Sequence, residues 1–357
     1  MTQESIKRHI IRTVDSVKYA LDRLDTLSGK TMVLFATDAE DRLQGTVTGG
    51  DIRRALLRGI SLETPVAEAM NRSFTAIEKD DDPAEKVAEG KRRHLCLLPV
   101  TDDGHISDII DLTRLKALLP IDVVLMAGGR GERLRPLTLS IPKPLLAVGG
   151  KPIIDRNIEM LEEYGVRNIF VTVNYLHNKI EEHFRIRNAK ETDNHADVTC
   201  VLEPKRLGTL GSLALVEGLR HDNILVMNSD LLTNLDFEKM WRTHTESGAH
   251  LTMGAVPYTV SVPFAIMRTK GSEVTGLEEK PTYNYFINGG VYMMRRELLE
   301  RITKGEYLDA PNFIESLIAD GLKVECFPIE GRWIDIGSPA DFRHAQELMK
   351  HHRSLTN

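Results

Sequence analysis

Residues 124–153 read VLMAGGRGERLRPLTLSIPKPLLAVGGKPI, a stretch whose glycines, prolines and cations point to phosphate chemistry. Directly after the apolar run IDVVLMA, the segment GGRGER offers bare backbone amides where side chains would obstruct a phosphate, and Arg130 and Arg133 add positive charge. Such a loop could cradle a triphosphate. Two familiar glycine motifs do not account for it. A dinucleotide fingerprint starting at Gly129 needs glycine or alanine at Leu134, and Pro136 interrupts the helix that should follow. A Walker A reading of the later GGKP places Pro152 where a Mg²⁺-binding Ser or Thr belongs, and Leu145 where the first glycine belongs.

The elements around the loop must hold it at the edge of a sheet. After Leu119 and Pro120, apolar runs (IDVVLMA, NIFVTVN, VTCVLE, NILVMNSD, HLTMGAV) predict strands, and IIDRNIEMLEEYG and LGSLALVEGLR predict helices. This alternation implies an α/β domain with a Rossmann-like, mostly parallel sheet covered on both faces, over residues 121–348. Ligands of such sheets bind at the carboxyl ends of the strands, where the glycine loop lies.

Residues 1–118 differ. They carry a loose α+β repeat, MVLFATDAEDRLQGTVTGGDIRRALLRG and HLCLLPVTDDGHISDIIDLTRLKALL. Each copy is expected to have an acidic turn, a short strand ending in a hydroxyl residue (Thr48, Ser107), and an aspartate (Asp51, Asp111) that opens a helix. Such units often pair back to back.

Composition limits the partners. With 46 Lys plus Arg against 52 Asp plus Glu in 357 residues, the net charge of −6 lacks the basic excess of nucleic-acid binders. Cys96, Cys200 and Cys326 are scattered, so neither a structural zinc site nor a disulfide framework is indicated. No signal peptide and no run of about 18 apolar residues is present, which gives a cytoplasmic, soluble reading without membrane partners.

Two resemblances follow. The loop with its sequel, G-G-x-G-x-R-L-x-P-L-T and then P-K-P-L, is similar to the signature of sugar-1-phosphate nucleotidyltransferases at every specified position from Gly128 to Leu145. That resemblance implies an enzyme joining a nucleoside triphosphate to a sugar-1-phosphate with release of pyrophosphate. It implies that Ala127, Gly128, Gly129 and Gly131 line the nucleotide, that Arg133 contacts its phosphates, and that Lys143 stabilises charge at the α-phosphate. Asp230 after ILVMN and Asp335 in GRWIDIGSPADF match the family's Mg²⁺-binding aspartates, although Asp230 would also suit a turn and SPAD a helix start. Glu279 and Lys280 in GLEEKP, with Asn288, Gly289 and Gly290 in INGGVY, match its sugar-phosphate motifs. LEPKRLGTLGSL resembles the family's base-binding segment, which implies that Glu203, Gly208, Thr209 and Gly211 face the nucleotide. Glu203 is often glutamine in uridylyl and thymidylyl relatives; a carboxylate only accepts hydrogen bonds, and guanine offers two adjacent N–H donors, so GTP is the expected donor.

The N-terminal repeat resembles a cystathionine-β-synthase (CBS) domain pair, with Gly45, Thr48 and Asp51 as its best-matching piece. This implies an adenine nucleotide effector held by Thr48 and Asp51 in a cleft between copies, and a homo-oligomer. The combined architecture resembles the glucosamine-1-phosphate guanylyltransferases of legionaminic acid synthesis, with mannose-1-phosphate as the other candidate acceptor. A nucleotide-sensing regulator with a silent transferase half is the alternative, which the joint presence of Arg133, Lys143, Asp230, Lys280 and Asp335 opposes.

Overall fold

The structure, a computed structural model, describes residues 1–27, 31–190 and 195–353. The chain divides into two compact units: residues 1–119 with 161–167 and 188–196, and residues 120–160, 168–187 and 197–357. Among the described residues no helix is long and apolar enough to cross a membrane, and the three cysteines are unbridged.

After a short helix, Gln3–Arg8, the first unit contains β1 (Ile10–Arg12), α1 (Val17–Thr26), β2 (Val33–Thr37), β3 (Leu43–Thr48), α2 (Gly49–Leu57), β4 (Ile77–Glu78), α3 (Pro83–Arg92), β5 (Leu97–Asp102) and β6 (His105–Asp111). The sheets β1-β2-β3 and β4-β5-β6 share one plan, a parallel pair followed by an antiparallel pair. Both break register at the same step, Ala36/Thr37 and Val100/Thr101. In both the buried threonine turns its hydroxyl onto the neighbouring parallel strand: Thr37 Oγ1 donates to Ile11 O (3.5 Å) and Thr101 Oγ1 to Ile77 O (3.3 Å). The repeat is therefore a structural duplication.

Its register corrects the alignment read from sequence. Thr48 lies opposite Val33 and Asp111 opposite Leu97, so Asp111 stands in the place of Thr48, and Arg114 in that of Asp51. Nor does the second strand end at Ser107; it runs on to Asp111. The helix expected after Asp111 does not form. Asp111 Oδ1 accepts from Thr113 N (2.9 Å) and Thr113 Oγ1 (2.6 Å), a local aspartate turn that competes with helix initiation.

The second unit contains β7 (Ile121–Met126), α4 (Ile153–Glu162), β8 (Asn168–Val173), α5 (His177–Asn188), β9 (Asp197–Leu202), β10 (Asn223–Asn228), β11 (Leu231–Thr233), α6 (Phe237–Ser247), β12 (Leu251–Ser261), β13 (Ile266–Lys270), β14 (Glu273–Glu278), β15 (Thr282–Arg295), α7 (Ala310–Ala319), β16 (Val324–Pro328), β17 (Trp333–Asp335) and α8 (Pro339–Arg353). The expected strands all form. The central sheet runs β9-β8-β7-β10-β15-β12-β16 and is parallel except at β15, which is antiparallel to both neighbours. One face buries Val124, Phe170, Val226 and Tyr292 against Leu213, Phe313 and Leu317. The helix expected over LGSLALVEGLR is reduced to a 3₁₀ turn, Gly211–Leu215. The chain leaves helical geometry at Val216 (φ −79°, ψ 122°), and Gly218 follows at φ +86°.

Candidate active site

The carboxyl ends of the four parallel strands β7, β8, β9 and β10 lead into the segments that matter: Ala127 onward, Asn174, Glu203 and Ser229-Asp230. Ala127 N donates to Thr172 O (2.9 Å), holding the start of the glycine loop to β8. At Gly128 a Cβ would lie 2.6 Å from Glu203 Oε1, so glycine is what lets the Glu203 carboxylate approach the loop. Gly131 adopts φ +60°, and a Cβ there would meet Thr138 Cγ2 at 2.9 Å. The buried Thr138 fixes that turn by donating to Gly131 O (2.8 Å). Gly129, between them, faces open space.

Pro142 and Pro144 flank Lys143 at the start of a 3₁₀ turn, and set its backbone. Its ammonium donates to Asp230 and sits 3.7 Å from Asp335 Oδ1, largely shielded from solvent. The two carboxylates meet because β11 pairs antiparallel with β17, Leu231 opposite Asp335, and Ile336 N donates to Asp230 O (3.2 Å). Burial pushes the Asp335 carboxyl above its ordinary range, with the Asp230 charge acting in the same sense and Lys143 and Arg133 opposing. The Arg133 guanidinium lies against Gly337, where a Cβ would approach within 3.1 Å of Nη2. The sequence-predicted Arg133, Lys143, Asp230 and Asp335 thus converge from segments more than 200 residues apart.

Asp335 Oδ1 is buried without a hydrogen-bond partner. Two carboxylates, one with an unfilled acceptor, fit Mg²⁺, which typically takes one or two carboxylates and completes its shell with phosphates and water. Among the described residues no group of three or more His, Cys, Asp or Glu side chains forms a self-sufficient metal cage.

Two residues that sequence reasoning missed hold Asp230 in place. Ser229 N (3.2 Å) and Ser229 Oγ (2.7 Å) both donate to Met126 O, and Asn157 Nδ2 donates to Ser229 O (3.1 Å). Asn157 is 1% exposed on the helix face that carries Ile153, Ile154, Ile158 and Leu161. A polar residue on an otherwise apolar stripe was the available signal.

The base-side segment differs from expectation. Glu203 is buried, which raises its carboxyl above the ordinary range, and its Oε2 accepts from Leu207 N (3.3 Å). The close backbone approach that Gly208 and Gly211 permit is to the chain itself: a Cβ would lie 2.5 Å from Leu308 O or Glu306 O, respectively. Thr209 is also committed internally, its N donating to Asp309 Oδ1 (3.1 Å) and its hydroxyl accepting from Ala310 N (2.6 Å) at the start of α7.

Trp333 Nε1 donates to Gly289 O (2.8 Å), tying the INGGVY segment to the strand that carries Asp335. Gly290, at φ +68°, packs against Asn228, and Asn288 exchanges hydrogen bonds with the Tyr292 hydroxyl. Glu279 and Lys280 are exposed in the turn between β14 and β15, Lys280 at φ +44°, and no hydrogen bond among the described residues joins either to the cluster. In the first unit, Thr48 and Asp51 bond to each other. Thr48 N (2.9 Å) and Oγ1 (2.6 Å) donate to Asp51 Oδ2, and Asp51 N donates to Thr48 Oγ1 (3.3 Å), a capping box on α2, while Arg54 holds Asp51 Oδ1 (2.5 Å).

Comparisons with known proteins agree with this geometry. The chain is 31% identical over 230 residues to the mannose-1-phosphate guanylyltransferase catalytic subunit beta of Danio rerio (61% of this chain, 62% of that one). It is 30% identical over 227 residues to the mannose-1-phosphate guanyltransferase of Schizosaccharomyces pombe (61% of each). The chain therefore spans about three-fifths of the length of the curated relatives it matches. The crystal structure of HddC from Yersinia pseudotuberculosis superposes with a TM-score of 0.50 at 25% identity, covering 64% of this chain and 99% of that one. Residues 122–352 match the nucleotidyl transferase family, and the chain belongs to that family.

Proposed function

We propose that the chain transfers a guanylyl group from GTP to a sugar-1-phosphate, forming a GDP-sugar and pyrophosphate. The observation that carries this reading is the placement of Lys143 between Asp230 and Asp335, beside a glycine loop that ends in Arg133. In the reaction a phosphate oxygen of the sugar-1-phosphate attacks the α-phosphorus. The bond to the β-phosphate bridging oxygen breaks, and pyrophosphate leaves with that electron pair. The amides of Gly128 to Gly131 and the Arg133 guanidinium bind the triphosphate, and Lys143 stabilises charge that develops at the α-phosphate. Mg²⁺, held by Asp230 and Asp335, would supply the charge neutralisation that lets two anions meet. Glu203 supports guanine because its carboxylate is an acceptor beside Gly128, and the relatives in Danio rerio and Schizosaccharomyces pombe bear guanylyltransferase names. Glu279, Lys280, Asn288 and Gly289 are assigned to the sugar phosphate.

Mannose-1-phosphate and glucosamine-1-phosphate are the acceptors in this reading, the first from the names of the relatives and the second from the resemblance to the guanylyltransferases of legionaminic acid synthesis. Residues 1–118 act as a CBS-type regulatory pair ahead of the catalytic residues 121–348 in a cytoplasmic protein. A cavity of about 290 Å³, lined by Thr48, Asp51, Thr75, Leu97 and Pro99, is the place for an adenine nucleotide. The duplication supports a cleft in the first copy only, since Arg114 replaces the second aspartate.

The test is pyrophosphate release from the four common nucleoside triphosphates against both sugar-1-phosphates, with and without a chelator. Chelator-sensitive release with GTP is expected. Release with UTP or dTTP in preference to GTP would remove Glu203 as the selector, and no release with any pair would favour a silent nucleotide-sensing protein.

A further inference from the structure

Across residues 135–141, the part of the signature that follows Arg133, every residue is exposed except Thr138, which is fully buried. Leu137, Leu139 and Ile141 turn outward, so the stretch hangs on Thr138 and on polar contacts to its backbone. Thr138 is also the link to the glycine loop. Its hydroxyl donates to Gly131 O (2.8 Å), and its Cγ2 fills the space that a Cβ at Gly131 would need. Gly131 opens the 3₁₀ turn Glu132–Leu134, which carries Arg133. The near end of the glycine loop is fixed separately, by Ala127 N on Thr172 O, so Thr138 governs the far end.

Thr138 is in turn held from outside the loop. Between β8 and α5 the chain runs Asn174-Tyr175-Leu176, and from here the Tyr175 hydroxyl donates to Thr138 O (3.0 Å), a contact across 37 residues of sequence. Lys179, in the first turn of α5, donates to Ser140 O, and Asn174 Nδ2 donates to Glu203 O (2.9 Å). One short segment thus reaches both the signature loop and the Glu203 segment. The backbone bends to do so: Leu176 adopts φ +52°, a left-handed conformation that costs a leucine free energy and that persists where the surroundings impose it. Because α5 starts at the next residue, this bend sets how Tyr175 and Lys179 reach over the loop.

We infer that Tyr175 is a positioning residue for the triphosphate: through Thr138 it fixes Gly131 and Arg133 at the far end of the glycine loop. The inference rests on the reading of that loop as the triphosphate site. Amides and a guanidinium bind phosphate best when they are already placed, since ordering an exposed loop on binding subtracts from affinity. The outer phosphates, which depend on the far end, should therefore feel the Tyr175 hydroxyl, and the base and α-phosphate should not.

The test is equilibrium binding of GTP and of GMP, with Mg²⁺ and without sugar phosphate, to the full chain and to Tyr175→Phe, Thr138→Val and the double variant. Tyr175→Phe removes one oxygen and is expected to weaken GTP about five- to tenfold, the scale of one lost hydrogen bond, and to weaken GMP less than about twofold. Thr138→Val cuts the same chain of contacts at its other link, so the double variant is expected to bind GTP no more weakly than Thr138→Val alone. Should Tyr175→Phe lower the melting temperature, the ratio of the two affinities still decides, because general loosening weakens both ligands alike. Unchanged GTP affinity in Tyr175→Phe, equal losses for GTP and GMP, or additive losses in the double variant would overturn the inference. Failure of the guanylyl reading looks different: the wild type would prefer another nucleoside triphosphate, and Tyr175 would be judged on that nucleotide and its monophosphate. A wild type that holds no triphosphate more tightly than its monophosphate would overturn both.

Discussion

Thr48 with Asp51, and Lys143 with Asp230 and Asp335, are both compact polar clusters beside a glycine-containing turn, and they are built in opposite ways. The first lies within three residues of chain, and its members satisfy one another as the capping box of α2. The second draws on segments 87 and more residues apart and leaves Asp335 Oδ1 buried without a hydrogen bond, its carboxyl raised by burial and by Asp230. Local polar pairs of the first kind cap the helix they start whether or not a ligand is present. Charges brought together over long range, at a cost in desolvation, are the pattern of a candidate site. His244 limits the rule: it too is buried with an unpartnered Nε2, but no opposing charges converge on it, and its other nitrogen is bonded to Thr252 Oγ1 (2.8 Å). An orphan atom alone accords with packing; an orphan atom among convergent charges marks a candidate site.

The largest effect that would sharpen this contrast is expected at Lys143. Lys143→Ala should lower kcat by about 100- to 1,000-fold, the scale for removing one preorganised group that stabilises developing charge. The Michaelis constant for the nucleotide should move much less. Steady-state pyrophosphate release separates the two parameters, and a change confined to the Michaelis constant would place the lysine in ground-state binding.

A smaller effect is expected at His244. Burial, reinforced by Arg295 and His250, depresses its pKa from 6.5 to about 4. The unfolded chain takes up that proton near 6.5 and the folded chain resists until about 4, so stability is complete above the first value and is lost as pH falls toward the second. The loss amounts to about 3 kcal/mol in all. Thermal melts across that window should fall more steeply for wild type than for His244→Gln, and parallel curves would contradict the assignment.

The smallest is expected at Thr48. Thr48→Ala removes the cap of α2 and should cost about 1 kcal/mol of stability in the first unit while leaving pyrophosphate release intact. A fall in activity at saturating substrate would show that the first unit shapes the reaction directly.

The convergence of Lys143, Asp230 and Asp335 was legible in the sequence because the signature is dense and each aspartate ends or follows a short apolar run. Asn157 was legible only as a polar residue on an apolar helix face; its partner, Ser229 O, lies 72 residues away and was not. The difference at Asp111 has a physical origin too: residue type pairs it with Asp51, whereas the register of β5 with β6 decides which residues are equivalent. Similarly, LGSLALVEGLR has a helical apolar pattern, but Val216 is extended and Gly218 takes φ +86°, so the turn ends at Leu215. The division of the chain is also less linear than the sequence suggests, because 161–167 and 188–196 group with the first unit. There Leu119 N donates to Tyr164 O (3.0 Å), and Tyr164 and Val166 are buried. A truncation starting near Pro120 would therefore strip cover from the transferase sequence, and single substitutions are the cleaner probe.

The central claim, that long-range convergence and not local polarity marks the active cluster, is tested most directly by pyrophosphate release from GTP and mannose-1-phosphate or glucosamine-1-phosphate. The comparison is between Asp335→Asn and Asp51→Asn, two substitutions alike in chemistry. The account predicts a loss of about 100-fold or more for Asp335→Asn, with unchanged melting, and near-wild-type turnover for Asp51→Asn without effector. Comparable turnover in the two variants would contradict it.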